Sequence, residues 1–146
     1  MTASPLPSGR KWPVAVLGAT GAVGQTFIRL LVDHPWFEVA EVAASERSEG
    51  KPYSEAARWI EGSMPESVAR MIVQPVDPSR ISSPIAFSAL DSPVAGDVER
   101  AFAMAGIRQR YPEATEEEVR RRLAAVLFDR ETVIKVFGWD PETEGY

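Results

Sequence analysis

Unbroken apolarity comes first along the chain: Trp12 to Leu17 (Trp-Pro-Val-Ala-Val-Leu) carries no charge and stops at Gly18. A run that does not alternate suits a strand buried on both faces of a parallel sheet. From Ala22 to Val32 the period lengthens, and Val23, Phe27, Leu30 and Leu31 fall on one helical stripe. His34-Pro35 ends that helix, because proline restrains the residue before it. Phe37 to Ala44 then reads as a second strand. Strand, glycine turn, helix and strand within about 33 residues make a βαβ unit.

Further on, Tyr53 to Ile60 predicts a short helix, and Met71 to Val73 and Pro84 to Ser88 predict two short strands. Asp91 to Ala105 predicts a helix with Val94, Val98, Phe102 and Ala105 at helical spacing. After Gly106 the texture changes. Thr115 with Glu118 three residues on is a capping box opening a charged helix from Glu116 to Leu127. Glu116–Arg120, Glu117–Arg121 and Glu118–Arg122 are i,i+4 pairs, each worth roughly 0.2–0.5 kcal/mol on a helix surface. Val119, Leu123, Val126 and Leu127 form its narrow apolar face, and Arg120-Arg121-Arg122 its solvated one. A second short helix runs from Arg130 to Phe137, capped by Asp129 and ended by Gly138. With Phe128, Val133, Ile134 and Phe137 added, the stripe is too apolar for free helices, so the tail is expected to pack on the sheet domain or on a second copy.

These elements predict an α/β fold: a partial Rossmann-type parallel sheet with flanking helices, followed by a short helical C-terminal extension. The expected organisation is a disordered lead-in over 1–10, a dinucleotide-binding domain over 11–106 and a charged helical extension over 107–146. A length of 146 residues agrees with one domain plus an appendage.

Charge and composition then narrow the function. Sixteen basic against 21 acidic residues give −5, with −3 up to Gly106 and −2 beyond it, which points away from nucleic acid as a partner. No apolar run is long enough for a membrane span and Met1 to Arg10 lacks the core of a signal peptide, so a cytoplasmic protein is expected. Cysteine is absent and His34 is the sole histidine. Thiolate chemistry, most zinc sites and most serine–histidine triads fall away, leaving no catalytic or metal residue to nominate. His34 reads as a helix-end residue, and Trp12, Trp36 and Trp59 as packing residues.

What remains is a binding motif. Gly18-Ala19-Thr20-Gly21-Ala22-Val23-Gly24 joins the first strand to the first helix. Gly18 permits the tight turn, Gly21 lets the backbone approach a pyrophosphate, and Gly24 lets the helix pack near the strand. The helix start then offers unpaired N–H groups to phosphate. The Gly-x-x-Gly-x-x-Gly spacing meets the usual fingerprint only approximately, so a tight turn without a ligand is the competing reading. Ser45-Glu46-Arg47-Ser48 closes the second strand where an NAD-binding fold usually has an acid. Ser45, Ser48 and the Arg47 guanidinium suit a 2′-phosphate instead, against the alternative of an exposed polar loop. Ser88, Ala89 and Leu90 follow a buried strand and line the ligand crevice of such a sheet; Ser92 nearby is equally suited to cap a helix.

Pro13 to Gln25, His34-Pro35-Trp36-Phe37-Glu38, Ala44 to Lys51 and Ala86 to Gly96, in this order, resemble aspartate-semialdehyde dehydrogenase of the archaeal and fungal type. The resemblance covers about Lys11 to Gly106 and only the N-terminal part of the family's coenzyme domain. N-acetyl-glutamyl-phosphate reductase and malonyl-CoA reductase share the glycine loop, but the Ser-Glu-Arg-Ser stretch favours the first family. It implies reversible, NADP-dependent oxidation of an aldehyde to an acyl phosphate in amino-acid biosynthesis, by way of a cysteine thioester with a histidine base and substrate-holding arginines. It implies that Gly18, Ala19, Thr20, Gly21, Ala22 and Val23 hold the pyrophosphate and that Ser45, Arg47 and Ser48 hold the 2′-phosphate. Ser88, Ala89 and Leu90 then line the coenzyme, with NADP preferred over NAD. The family's cysteine, histidine and arginines have no counterparts, and from Ile107 the chain departs from the family. The expectation is a nicotinamide dinucleotide-binding domain that is catalytically incomplete by itself. A non-catalytic interaction module, a homodimer, and one subunit of a split enzyme with a separate catalytic subunit stay open beside it.

Overall fold

A computed structural model describes residues 10–144. Its elements are β1 (Trp12–Leu17), α1 (Ala22–Leu31), β2 (Phe37–Ala44), α2 (Tyr53–Ala56), α3 (Glu66–Ala69), β3 (Gln74–Pro75), β4 (Ile85–Ser88), α4 (Ser92–Arg110), α5 (Glu116–Leu127), α6 (Arg130–Phe137) and α7 (Pro141–Glu144). The chain divides into two compact units, one up to Ala95 and one from Gly96. Residues 1–9 of the expected lead-in lie outside the described residues.

The first unit is an α/β sheet of four parallel strands in the order β3-β2-β1-β4. β1 is central, its Leu17 opposite both Ala43 of β2 and Ser88 of β4. Its unbroken apolarity is explained by burial from Val14 to Leu17 on both faces. Val14 and Val16 share a core with Val42 and Ala44 of β2, Ile28 and Leu31 of α1, and Tyr53, Ala57, Val68 and Val73.

Four expectations for this unit need correction. The buried face of α1 is Gly24, Gln25, Ile28 and Leu31, whereas Val23 and Leu30 are 59% and 56% exposed. Close approach at Gly24 sets the rotation of the helix, and counting apolar side chains overlooks a glycine and a glutamine that are buried. The helix at Tyr53 stops at Ala56, where Ala57 turns extended and the backbone of Arg58 and Ile60 bonds the Gln25 side chain. Met71 to Val73 does not pair with β2; it runs antiparallel beside Gly50 to Tyr53, through Gly50 N–H to Val73 O and Tyr53 N–H to Met71 O. The β2 partner comes next, at Gln74–Pro75, proline being tolerable on a short edge strand. Trp36, expected to pack, is 67% exposed.

Glu41 is the buried charge of the sheet. Its carboxylate accepts from the Ser82 and Ser83 N–H groups (3.1 and 2.7 Å) and from Gln74 Nε2 (3.2 Å), tying down the loop before β4. Burial pushes this carboxyl up, but the hydrogen bonds from Ser83, Ser82 and Gln74 together outweigh it and leave it below the ordinary glutamate range.

In the second unit α4 runs through Gly106 to Arg110, beyond the expected end at Ala105, and none of its residues is buried. α5 and α6 have their expected limits. Thr115 and Glu118 complete the capping box, Asp129 accepts from Thr132 N–H, and Gly138 ends α6 in the left-handed region at φ 62°. Of the three i,i+4 pairs only Glu117–Arg121 closes as an ion pair. Glu116 bonds Arg108 instead (2.7 Å) and Glu118 is drawn to the Thr115 cap. Val119, Leu123 and Val133 are buried as expected, but Val126, Leu127, Phe128, Ile134 and Phe137 are exposed. The missed packing residue is Trp139, which joins Ala124 and Val133 in a small core. Arg130 reaches across to Asp140 with two hydrogen bonds (2.9 and 2.6 Å), fastening the segment that carries Trp139.

Candidate functional site

The chain winds from β1 through β2 to β3 and then crosses back to place β4 on the other side of β1, so the switch point lies at the C-terminal ends of β1 and β4, where open parallel sheets bind ligands. The loops after β1 and β4 are each hydrogen-bonded to the end of a neighbouring strand. Ala89 N–H donates to Leu17 O (2.9 Å), joining the β4 end to β1, and Ala19 N–H donates to Ala43 O (3.0 Å), joining the glycine loop to β2. The glycine loop, the Ser45 turn and the Ser88–Leu90 turn are thereby brought to one rim.

Each glycine of the loop meets a different constraint. Gly18 has φ +73°, and a Cβ there would stand 2.7 Å from the Ala89 carbonyl oxygen, so it serves both the turn and the contact with the β4 loop. A Cβ at Gly24 would collide with the Gly18 carbonyl and come within 2.7 Å of Ala19 Cα, which fixes α1 against the end of β1. At Gly21 a Cβ meets only Gly18 O, at an ordinary 3.4 Å. The space over Gly21 is open on the side where a ligand would approach.

α1 begins beside that space. Its N-cap is Gly21, no side chain caps it, and no acidic residue stands in its first turn. The first N–H groups of a helix lack intrahelical acceptors, so those of Ala22 and Val23 are available to an anion, and both residues are exposed. Across the rim, the Ser88 hydroxyl is buried with no hydrogen-bond partner, as a polar group kept for a ligand would be. On the other flank Ser45 and Arg47 are exposed at the end of β2. Ser48 is buried, its N–H bonded to Ser45 O (2.8 Å), so it shapes this turn more than it faces solvent. Lys51 Nζ donates to Arg47 O (2.9 Å), adding a second cation to the turn. These features fit a dinucleotide: N–H groups for a pyrophosphate, an orphan hydroxyl and a glycine opening beside it, and a guanidinium with hydroxyls for a further phosphate.

Two residues to which the sequence motifs assign no role hold the loop from behind. Tyr53, fully buried, donates its hydroxyl to Ala19 O (2.7 Å), and Gln25 Nε2 donates to Thr20 O (3.0 Å). Burial raises the Tyr53 phenol, keeping it a neutral donor. An available signal was the polar Gln25 between the apolar positions of a buried helix start. A cavity of about 460 Å³ lies elsewhere in this unit, against β2 and β3 beside Val42, Val73, Glu49 and Arg80. Among the described residues no cluster of histidine, cysteine or carboxylate side chains is suited to a metal.

A parallel sheet with a glycine loop at its switch point and an uncapped helix behind it is a dinucleotide-binding fold of Rossmann type. The chain belongs to the semialdehyde dehydrogenase NAD binding domain family, whose model matches residues 13–109. It is 47% identical over 97 residues to an aspartate-semialdehyde dehydrogenase of Archaeoglobus fulgidus, covering 66% of this chain and 28% of that protein. It is 54% identical over 92 residues to that of Methanothermobacter thermautotrophicus, covering 62% and 26%. The crystal structure of aspartate semialdehyde dehydrogenase with NADP from Candida albicans superposes with a TM-score of 0.63 at 44% identity, over 66% of this chain and 28% of that one. The chain thus spans about a quarter of the length of the curated relatives it matches. A second model, Rv0078B-related antitoxin, matches residues 96–138. The two matches overlap on residues 96–109, all within α4. No helix among the described residues is long and apolar enough to cross a membrane.

Proposed function

We propose that residues 11–106 bind NADP in preference to NAD, in the manner of the aspartate-semialdehyde dehydrogenase coenzyme domain, and that residues 107–146 are a distinct helical extension joined within α4. The observation that carries the coenzyme reading is the rim itself: three loops at adjacent strand ends, two of them hydrogen-bonded to the neighbouring strand, around an uncapped helix start and the opening at Gly21. Ala22 and Val23 N–H groups meet the pyrophosphate, with Gly18, Ala19, Thr20 and Gly21 forming the turn beneath it. Ser88, Ala89 and Leu90 line the crevice. Ser45 and Arg47 receive the 2′-phosphate, and Ser48 shapes their turn. The NADP in the Candida albicans relative supports the same choice. Titrating the purified chain with NADPH and NADH tests it: saturable binding with NADPH tighter is expected, and no binding of either overturns it.

The chain has no cysteine, so it cannot form the thioester that the family's reaction requires. Its role is coenzyme binding, within a larger assembly or in place of catalysis. A second reading applies to the C-terminal unit. Its match to an antitoxin family, together with exposed Leu127, Phe128, Ile134 and Phe137, favours a protein-binding role against a toxin. Co-expression with a growth-arresting toxin of that family's kind tests this. Restored growth supports the role, and unrelieved arrest despite soluble chain removes it.

A further inference from the structure

Three consecutive carbonyl groups of the glycine loop accept hydrogen bonds from the protein. Gly18 O accepts from Gly21 N–H (3.1 Å), Ala19 O from the Tyr53 hydroxyl (2.7 Å) and Thr20 O from Gln25 Nε2 (3.0 Å). Carbonyl and N–H point oppositely across a planar peptide. The N–H groups of Ala19 and Gly21 are donated to Ala43 O and Gly18 O, so the Ala19–Thr20 peptide, whose carbonyl Tyr53 holds, is the one whose N–H is left to face a phosphate. A phosphate approaching this loop is repelled by a carbonyl and attracted by an N–H, so what fixes the carbonyls fixes the polarity of the site.

Both donors are themselves braced. Gln25 also donates to Arg58 O (3.0 Å) and accepts from Ile60 N–H (2.8 Å), so both ends of its amide are committed and its orientation is unambiguous. Glu61 bonds Thr26 and Arg29 of α1 (2.7 Å each), anchoring the segment that Gln25 grips. Tyr53 stands two residues after Lys51, the end of the turn that carries Ser45 and Arg47, and its N–H bonds Met71 O (2.8 Å). The Tyr53 ring therefore spans from the far end of the 2′-phosphate turn to the underside of the pyrophosphate loop.

We infer that Tyr53, with Gln25, is a positioning residue for the pyrophosphate: it holds the glycine-loop carbonyls away from the ligand and ties that loop to the segment following the Arg47 turn. This rests on the coenzyme reading above and adds the residues that set the loop's polarity. Neither touches the ligand. Loss of the Tyr53 hydroxyl frees Ala19 O to rotate, and the penalty falls on any ligand carrying a pyrophosphate.

The test compares Tyr53→Phe with the unaltered full chain, using NADPH, NADH and adenosine 2′-phosphate, which carries the 2′-phosphate without a pyrophosphate. NADPH and NADH should each bind about tenfold more weakly, with adenosine 2′-phosphate changed less than about twofold. A folded variant that binds NADPH as tightly as before overturns the inference. So does a parallel loss for adenosine 2′-phosphate, which marks Tyr53 as a general support of the fold. An unaltered chain that binds none of the three overturns the coenzyme reading and the inference together. Should Tyr53→Phe fail to fold, Gln25→Met, which keeps the length of the side chain and is uncharged but cannot donate to Thr20 O, carries the same comparison with the same outcomes.

Discussion

In the proposed site a pyrophosphate meets the backbone N–H groups of the glycine loop and helix start, so single side-chain atoms decide whether it fits. Gly21 and Gly24 separate binding from folding. A Cβ at Gly21 has ordinary room in the protein but points into the open space of the proposed phosphate site, whereas one at Gly24 strikes the Gly18 carbonyl and Ala19. Gly21→Ala is expected to melt within a few degrees of the parent and to bind NADPH at least about tenfold more weakly. Gly24→Ala forces backbone atoms apart and is expected to lose about 1–3 kcal/mol of stability in denaturant melts, as overpacking does. Equal melting of the two variants refutes this assignment of roles. Arg47 makes a different discrimination. A charge-assisted hydrogen bond to phosphate is worth roughly 1.5–3 kcal/mol, so Arg47→Ala should weaken NADPH binding about 10- to 100-fold and leave NADH nearly unchanged. Matching losses for the two coenzymes would place Arg47 outside the 2′-phosphate site.

At the scale of elements, the order in which backbone groups find partners explains both what was legible and what was not. β1, β2, α5 and α6 have limits that local rules announce: continuous apolarity, a proline stop, a capping box and a left-handed glycine. The glycine loop was readable for the same reason, its chemistry being local. Tyr53 and Gln25 were not, because their partners lie 34 and 5 residues away and only the closed fold brings Tyr53 under Ala19. β3 was misplaced because the backbone of Met71 to Val73 pairs with the segment after the Arg47 turn, which no pattern of apolar residues encodes. The exposed faces of Val23 and Leu30 show the same limit, since apolar spacing names a stripe but close approach at Gly24 chooses the buried side. Glu41 gives this scale its own test. Its carboxyl lies below the ordinary value of about 4.3, so the ionised form is the one the fold favours. Its contribution is complete above that ordinary value and fades as the pH falls through the lower, folded value. Glu41→Gln should lose about 1–3 kcal/mol near neutral pH, since the Ser82 and Ser83 N–H groups lose an ionised acceptor. The gap between variant and parent should then narrow below about pH 4, and a gap that stays constant into acid would show that ionisation at Glu41 is not what holds the loop.

For the molecule as a whole, the two family matches divide the chemistry between the ends of the chain. The N-terminal unit has the parts needed to hold a coenzyme, and the C-terminal unit contains helices with apolar positions left exposed. Neither contributes a thiol, since the sequence has none. Oxidation of a semialdehyde to an acyl phosphate needs a nucleophile that first adds to the aldehyde carbon. After hydride leaves, that nucleophile must remain as a leaving group for phosphate to displace. A serine or threonine hydroxyl does this poorly without a base to take its proton, and the lone histidine is engaged at the end of α1: its ring stacks on Phe37 with centroids 4.8 Å apart, and its Nδ1 accepts from Trp36 N–H. The purified chain is therefore expected to bind NADP yet produce no phosphate-dependent NADPH from aspartate semialdehyde above a heat-denatured control. The two measurements belong on the same preparation, because coenzyme binding shows that the site is folded when turnover is scored. Turnover by the chain alone would require a nucleophile other than cysteine and would overturn this expectation. Turnover that begins only when a cysteine-bearing second polypeptide is added would instead make the chain one half of a divided enzyme.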